Sequence, residues 1–377
     1  MRLTLATALA VAIGALAVDA TDAVAYPQLQ FTTGATRCGE CHVAPSGGGL
    51  LTDYGRDEAG DTLSGRGDGR LLHGAWTPPS WLALGGDLRV AGGGKQLADE
   101  PVTGLAFPMQ ADLNARVAAG PVALHLTVGG NGAARGRPDA APITNYLVSR
   151  QHYLEVAPSE ASWSARLGRF YPTLGLRLAD HTAYPRRHLG LYLLEEPYAL
   201  EGRYTTGPWE GFASVFVGNP LPELAAGPRA SGGALYLERL LGASGAVAGQ
   251  ARVTLDDGDR RVLLGAVGKR YWDGPKLQLL GEVDLQRQDL DGFVRYQLVG
   301  YLGVTRAFLP GYLLGAAVQR FAPDVSFAGT TRNAVEVNAQ AFPWAHTEAH
   351  LLLRAEATGG DTFHPNWLAL LQLHYYL

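Results

Sequence analysis

From Trp81 to the end of the chain, apolar and polar side chains alternate with a period of two residues. The stretch 109–117 sets an apolar group against a polar one: Met109, Ala111, Leu113, Ala115 and Val117 against Gln110, Asp112, Asn114 and Arg116. The stretches 276–286 and 335–341 show the same pattern. A period of two places the two groups on opposite faces of a β-strand. Strands of about ten residues with one apolar and one polar face are what a membrane β-barrel requires.

The pattern predicts sixteen strands, centred near residues 87, 112, 125, 151, 165, 202, 213, 236, 250, 265, 281, 299, 316, 338, 352 and 371. Their long connections all fall at one end of the barrel: 91–104, 129–145, 170–197, 218–231, 323–332 and 358–366. Outer-membrane barrels have an even number of strands, short periplasmic turns and long external loops. We therefore predict an all-β fold, a transmembrane outer-membrane β-barrel of about 16 antiparallel strands over residues 81–377, with both barrel ends in the periplasm.

Residues 1–25 have the features of a secretory signal peptide. Arg2 precedes the apolar run 3–18, and Ala23-Val24-Ala25 predicts cleavage before Tyr26. No later run reaches the roughly 18 apolar residues of a transmembrane helix. We expect an exported chain whose cysteines meet an oxidising compartment. The net charge of −4 is too mild for a nucleic-acid binder.

The only two cysteines of the chain lie in Cys38-Gly39-Glu40-Cys41-His42. C-x-x-C-H is the attachment pattern of c-type haem, in which each thiol bonds a vinyl group and the adjacent imidazole binds the iron. A zinc knuckle would need a second Cys or His pair, and a redox C-x-x-C motif usually lies beside a βαβ pattern; the sequence shows neither. The motif favours one covalent haem c on Cys38 and Cys41, with His42 as the proximal iron ligand.

Residues 26–80 form a monohaem cytochrome c-like segment that is too small to build its own core. We expect it to fold against the barrel wall as a plug. For the second axial ligand, His73 is the first candidate, although it could equally be an exposed linker histidine. Met109 starts the apolar side of a strand, which favours packing or lipid contact for its side chain. Water or an open position is a further alternative.

The longest predicted loop, 170–197, is rich in charge: Asp180, His181, Arg186, Arg187, His188, Glu195 and Glu196. A solvated loop is the default interpretation, because exposed loops commonly gather charged residues. The loop could instead fold into the lumen as a constriction, or bind external iron near the haem.

The stretch 26–56 resembles the start of the fused monohaem cytochrome–porins, outer-membrane proteins of iron-oxidising and other electron-exchanging bacteria. The shared features are Pro27, Thr33-Gly34, the C-x-x-C-H motif, Pro45 and Leu51-Thr52-x-x-Gly55. The predicted barrel agrees in architecture, so the resemblance covers the whole chain. It implies a haem inside the pore, and Cys38, Cys41 and His42 carry over as its ligands. The glycines of 47–49 depart from the iron-oxidiser pattern.

The function implied by the resemblance is electron transfer across the outer membrane through one haem c. Its partners would be the lipid bilayer, an external donor or acceptor such as Fe(II), and a periplasmic carrier of the cytochrome or copper-protein class. The alternative is a diffusion porin whose haem segment is a structural plug or gate. A haem peroxidase or sensor is a third option, and it would need an open iron position. No hydrolytic or transferase site is indicated.

Overall fold

The computed structural model describes residues 27–45, 47–98, 100–130, 147–192, 195–218, 230–359 and 365–377. The predicted signal peptide lies outside these residues. Sixteen strands make up most of the fold: β1 Leu82–Gln96, β2 Thr103–Ala119, β3 Val122–Gly130, β4 Leu147–Val156, β5 Trp163–Arg169, β6 Tyr198–Thr206, β7 Trp209–Val217, β8 Ser231–Leu240, β9 Gly245–Asp256, β10 Asp259–Trp272, β11 Leu277–Leu290, β12 Phe293–Leu309, β13 Tyr312–Ala322, β14 Arg332–Ala341, β15 Thr347–Thr358 and β16 Asn366–Tyr376.

Three short α-helices lie among the described residues: α1 Cys38–Cys41, α2 Asp53–Glu58 and α3 Tyr184–His188. Helix α2 continues into a π-helical turn over Ala59–Leu63, and a further turn covers Leu71–Gly74. None of these helices is long and apolar enough to cross a membrane.

The strands form one closed antiparallel barrel. Each strand pairs with its neighbours in sequence, and β1 pairs with β16 to close the sheet. Every predicted strand centre falls within an observed strand, so the sixteen-stranded barrel is confirmed. One end carries only short turns, such as 120–121, 207–208 and 310–311. The long connections join strands at the other end, as predicted, together with two short turns at 257–258 and 291–292.

The two faces of the barrel differ in chemistry as the alternation requires. On β11, Val283 and Leu285 are exposed on the outer surface, whereas Gln278, Glu282 and Asp284 are buried inside. An apolar exterior with a polar interior is the arrangement of an outer-membrane barrel.

Met109 departs from the predicted alternation. The pairing of β1 with β2 shifts register between Arg89 and Val90, where a β-bulge inserts one residue on β2. The bulge reverses the facing of the strand, so that Met109 is buried while Leu113 is 69% exposed. Met109 packs with Ala91, Phe107, Leu352 and Leu370. Packing is therefore its role, on the opposite face from the one predicted.

Replacing Val283 with arginine tests which face meets lipid. Val283 is 51% exposed in the middle of β11. A charge at the bilayer midplane of such a barrel costs about 2–4 kcal/mol, and we expect that loss in the free energy of unfolding from lipid vesicles. Val325→Arg is the control, since Val325 is equally exposed, at 51%, but lies in the connection 323–331. Equal losses for the two variants would contradict a lipid-facing Val283.

Candidate functional site

Residues 27–80 occupy the short-turn end of the barrel. Lys269 on β10 donates from Nζ to Gln30 Oε1 at 3.0 Å. Gly65 N–H donates to the carbonyl of Phe342 at 2.8 Å, and Ala345 N–H donates to the carbonyl of Arg66 at 2.7 Å. The segment therefore contacts both the inner wall and the turns at this mouth.

Helix α1 carries the two cysteines and is capped at both ends. At its start, Glu40 accepts on Oε1 from the backbone N–H of Arg37 at 2.8 Å and of Thr36 at 3.1 Å. At its end, Thr52 donates from Oγ1 to the carbonyl of Glu40 at 2.6 Å and from its N–H to the carbonyl of Cys41 at 3.0 Å. These bonds satisfy helix-end groups that a one-turn helix leaves open.

Thr52 also starts helix α2, because its Oγ1 accepts from Gly55 N–H at 3.0 Å. Gly55 lies directly on the motif: a Cβ at this position would be 2.1 Å from the carbonyl oxygen of Cys41. The Thr-x-x-Gly stretch, Thr52 to Gly55, thus packs α2 directly against α1. We call this contact the clamp.

The glycine run 47–49 makes the turn that returns the chain to α1. All three glycines adopt left-handed backbone, with φ of 80°, 84° and 62°, a conformation that costs little only for glycine. Val43 N–H donates to the carbonyl of Leu50 at 2.9 Å across this turn. The run therefore brings Thr52 back to the end of the motif helix.

A cavity of about 400 Å³ lies between this segment and the barrel wall. Cys38, Cys41 and His42 line one side of it. Residues from α2, from β1 and β16, and from the end of β12 with the turn 310–311 also line it. The volume lies within the range of about 300–1,000 Å³ that is usual for small-molecule and cofactor sites.

Burial sets the protonation of the three motif side chains. Desolvation raises the pKa of the Cys38 thiol and raises that of Cys41 to about 11. Desolvation, reinforced by the positive charge of Arg177, lowers the pKa of His42 to about 4. At neutral pH both sulfurs are therefore thiols, and His42 is a neutral imidazole, the form that binds metals.

The wall that β1, β15 and β16 contribute holds a buried charge network. His374 lies 3.0 Å from Asp87 through Nε2 and 3.0 Å from Glu348 through Nδ1. Asn114 donates to Asp87 at 3.0 Å, and Gln340 donates to Glu348 at 3.0 Å. Asp87 and His374 line the cavity. The sequence places these residues on inward positions of strands, but period-two alternation does not reveal that they meet.

The residues present fit a haem c. Two free thiols and a neutral imidazole line one cavity, as C-x-x-C-H chemistry requires. His42 Nδ1 is buried without a hydrogen-bond partner, and much of the remaining lining is apolar, including Leu63, Phe308 and Leu313. Cys38, Cys41 and His42 thus line one cavity.

His73 lies elsewhere. It is exposed in the turn Leu71–Gly74, and its ring meets His346 edge-on at 4.6 Å between centroids. It does not belong to the described lining of the cavity.

The described part of loop 170–197 folds into the lumen, as the constriction alternative requires. Backbone N–H groups of the loop donate to lumen-facing side chains: Thr173 to Glu201 (2.8 Å), Leu176 to Glu282 (3.0 Å) and Tyr184 to Gln319 (2.7 Å). Its apolar side chains pack against the inner faces of strands from β4 to β14. The default expectation of a solvated loop is wrong, because the wall supplies partners for the loop backbone.

The charged side chains of this loop also find partners inside the barrel. Glu196 pairs with Arg169 at 3.5 Å, and the His188 ring stacks on Phe321 at 3.7 Å. Across the described residues, no group of three or more His, Cys, Asp or Glu side chains is arranged to hold a metal ion. The described loop thus gives no support to the external iron-binding alternative.

No protein-family model and no curated protein sequence matches this chain. Its fold is similar to solved outer-membrane barrels. A loop L8 deletion mutant of OmpT from Vibrio cholerae matches with a TM-score of 0.60 and 13% identity over 78% of this chain and 99% of that chain. OprB of Pseudomonas putida matches with a TM-score of 0.59 and 11% identity over 78% and 94%.

An anion-selective porin from Comamonas acidovorans matches with a TM-score of 0.56 and 10% identity over 78% of this chain and 99% of its own. At these identities the likeness is one of fold alone. The chain has the porin-like fold of an outer-membrane β-barrel, with the apolar outer surface that a lipid bilayer requires.

The Gly55→Ala variant tests the clamp on the motif helix. The added methyl group would meet the carbonyl oxygen of Cys41 at 2.1 Å, so α2 must move away from α1. Overpacking of this kind costs about 1–3 kcal/mol. We expect faster proteolysis within 27–80. Gly274→Ala, at a turn glycine with open space around it, is the control and should behave as wild type. Wild-type behaviour of Gly55→Ala would contradict the clamp.

Proposed function

We propose that this protein transfers electrons across the outer membrane through one haem c attached to Cys38 and Cys41, with His42 as the proximal iron ligand. The observation that carries the proposal is the position of the motif. The three side chains line a cavity inside the mouth of a closed barrel, rather than on a segment standing clear of it. The hydrocarbon core is about 30 Å thick, so a single haem can serve both sides only from within the barrel.

Each element of the site has a part in this function. The thiols would hold the haem covalently, and the neutral imidazole of His42 would ligate its iron. The apolar lining, which includes Leu63, Phe308 and Leu313, would give the haem apolar contacts. Haem c, when bound, supplies one-electron redox chemistry at the iron.

The orientation follows from the usual asymmetry of such barrels. Short turns face the periplasm and long loops face outward, which would put residues 27–80 on the periplasmic side of the lumen. A periplasmic carrier of the cytochrome or copper-protein class would then exchange electrons with the haem there. The external partner, a donor such as Fe(II) or an acceptor, would act from the long-loop end.

A diffusion porin with the haem segment as plug or gate is the second candidate. The fold similarity to an anion-selective porin favours it. Against it, residues 27–80 contact the wall and the turns at one mouth, and the described part of loop 170–197 packs on inner faces of strands from β4 to β14. Both lie in the path that a diffusing solute would have to take.

Sealed vesicles containing the purified haem protein separate the two functions. For an electron carrier, an impermeant reductant added outside should shift the haem absorption while an entrapped dye stays inside. For a porin, the dye or a small sugar should leak, whether or not the haem responds. Leakage without haem reduction would overturn the electron-transfer proposal.

A further inference from the structure

The cavity beside the motif offers a second imidazole besides that of His42. Among the residues that the structure describes, His374 on β16 is the other histidine of the lining. It would be the natural protein ligand for the second axial position of a haem in this cavity. Whether it can act as one depends on what its two ring nitrogens already bind.

Both nitrogens of His374 are engaged by carboxylates. Nε2 lies 3.0 Å from Asp87 Oδ1, and Nδ1 lies 3.0 Å from Glu348 Oε2. A ring nitrogen that contacts a buried carboxylate is not free to bind iron, because turning it to the iron would break that contact. The geometry therefore holds His374 in the wall network and not as an iron ligand.

The carboxylates cannot readily release this ring. Their other oxygens accept from Asn114 at 3.0 Å and from Gln340 at 3.0 Å, which fixes both carboxylates in place. Side-chain exposure is 6% for His374, 9% for Asp87 and 1% for Glu348. Turning the ring away would leave a buried carboxylate oxygen without its hydrogen-bond partner, and that is costly.

The other candidate ligands of the sequence lie outside the cavity. His73 is exposed against His346, and Met109 is buried in the wall among Phe107 and Leu352. The cavity does hold a donor without an acceptor. Tyr376 lines it, and its Oη is buried with no hydrogen-bond partner.

We propose that the second axial position of the haem is left open by the protein and binds a small exogenous ligand that accepts a hydrogen bond, such as carbon monoxide or cyanide. This inference rests on the proposed attachment of haem to Cys38 and Cys41. The hydroxyl of Tyr376, which lines the same cavity without a hydrogen-bond partner, is the donor available to such a ligand. Small-molecule binding at the haem is a function additional to electron transfer.

The test uses the full purified protein, first shown by its pyridine haemochrome to carry one haem per chain. Carbon monoxide is added to the dithionite-reduced protein and cyanide to the oxidised protein. We expect a shifted Soret band in both cases, with one ligand bound per haem. His73→Ala and Met109→Leu should leave spectrum and binding unchanged. Tyr376→Phe should weaken cyanide binding on the order of fivefold, the effect of one hydrogen bond.

A low-spin six-coordinate spectrum that saturating carbon monoxide does not change would overturn the inference. If binding then appears in His374→Ala or in His73→Ala, that histidine is the ligand. The failure of this inference differs from that of the proposed function, because haem content and electron transfer into vesicles would both be intact. A chain without covalent haem would overturn both.

Discussion

The variant with Cys38→Ala and Cys41→Ala is expected to lose covalent haem completely and to reduce electron transfer into vesicles to the rate of protein-free vesicles. The reason is that the chain has only these two cysteines, and both line the proposed haem cavity. The barrel should still insert, since its strands pair with one another in a closed ring that does not include α1. Haem content and the rate of reduction of an entrapped dye measure the effect.

Thr62→Ala is the matched control for this loss. Thr62 lines the same cavity, and truncating it removes a similarly small side chain without touching the attachment chemistry. The Thr62→Ala variant should keep its covalent haem and most of the wild-type rate of electron transfer into vesicles. Electron transfer by the double cysteine variant at the wild-type rate would show that the motif is not the conduit.

Conductance through a planar bilayer should appear only when both obstructions of the lumen are removed. One obstruction is the segment 27–80 at the short-turn mouth, and the other is loop 170–197 further inside. Because the two lie in series, removal of either one leaves the other in place. We expect single-channel conductance from a variant that lacks 27–80 and carries a short Gly-Ser connection in place of 172–191.

The full chain and each single variant serve as controls, and all three should show no single-channel conductance. The barrel alone is a reasonable unit to insert, since solved barrels of similar fold match this chain over almost their whole length, 99% for the OmpT variant. Strong conductance from the full chain would contradict the series arrangement and favour the diffusion porin.

The strands could be predicted because their two faces meet different environments, lipid on the outside and the polar lumen on the inside. Each barrel strand must offer apolar side chains to lipid and polar ones to the lumen, so the period of two is imposed residue by residue, as on β11 and β14. The arrangement of short turns and long loops then indicated the number of strands and which end of the barrel carries the long loops. The β-bulge on β2, opposite Arg89, could not be predicted. One inserted residue turns the side chain of Met109 to the other face of the strand without altering the composition.

The contents of the lumen were less predictable. The charged residues of loop 170–197 suggest a loop exposed to solvent. Only the folded barrel reveals that Glu282 and Gln319 accept hydrogen bonds from the backbone of this loop. His73 follows the motif closely in sequence, yet its turn points it to His346 instead of the cavity. His374 lies more than 330 residues from His42 in sequence, and barrel closure brings it to the same cavity.

The C-x-x-C-H motif could be recognised from the sequence because its three functional residues lie within five consecutive positions. The spacing places both thiols on one turn of helix, and the imidazole of His42 directly follows that turn. The sequence also contained the signal for its support, the Thr-x-x-Gly at 52–55, although only the contact of Gly55 with the Cys41 carbonyl explains the spacing.

The most direct test of the account follows electrons across a sealed membrane. Vesicles containing the full haem protein would enclose a redox dye that cannot cross the bilayer, and an impermeant reductant would be added outside. The account predicts that the trapped dye is reduced at a rate proportional to the amount of haem protein, with no loss of dye to the medium. Reduction of the haem while the trapped dye stays oxidised would contradict transfer across the membrane by this chain.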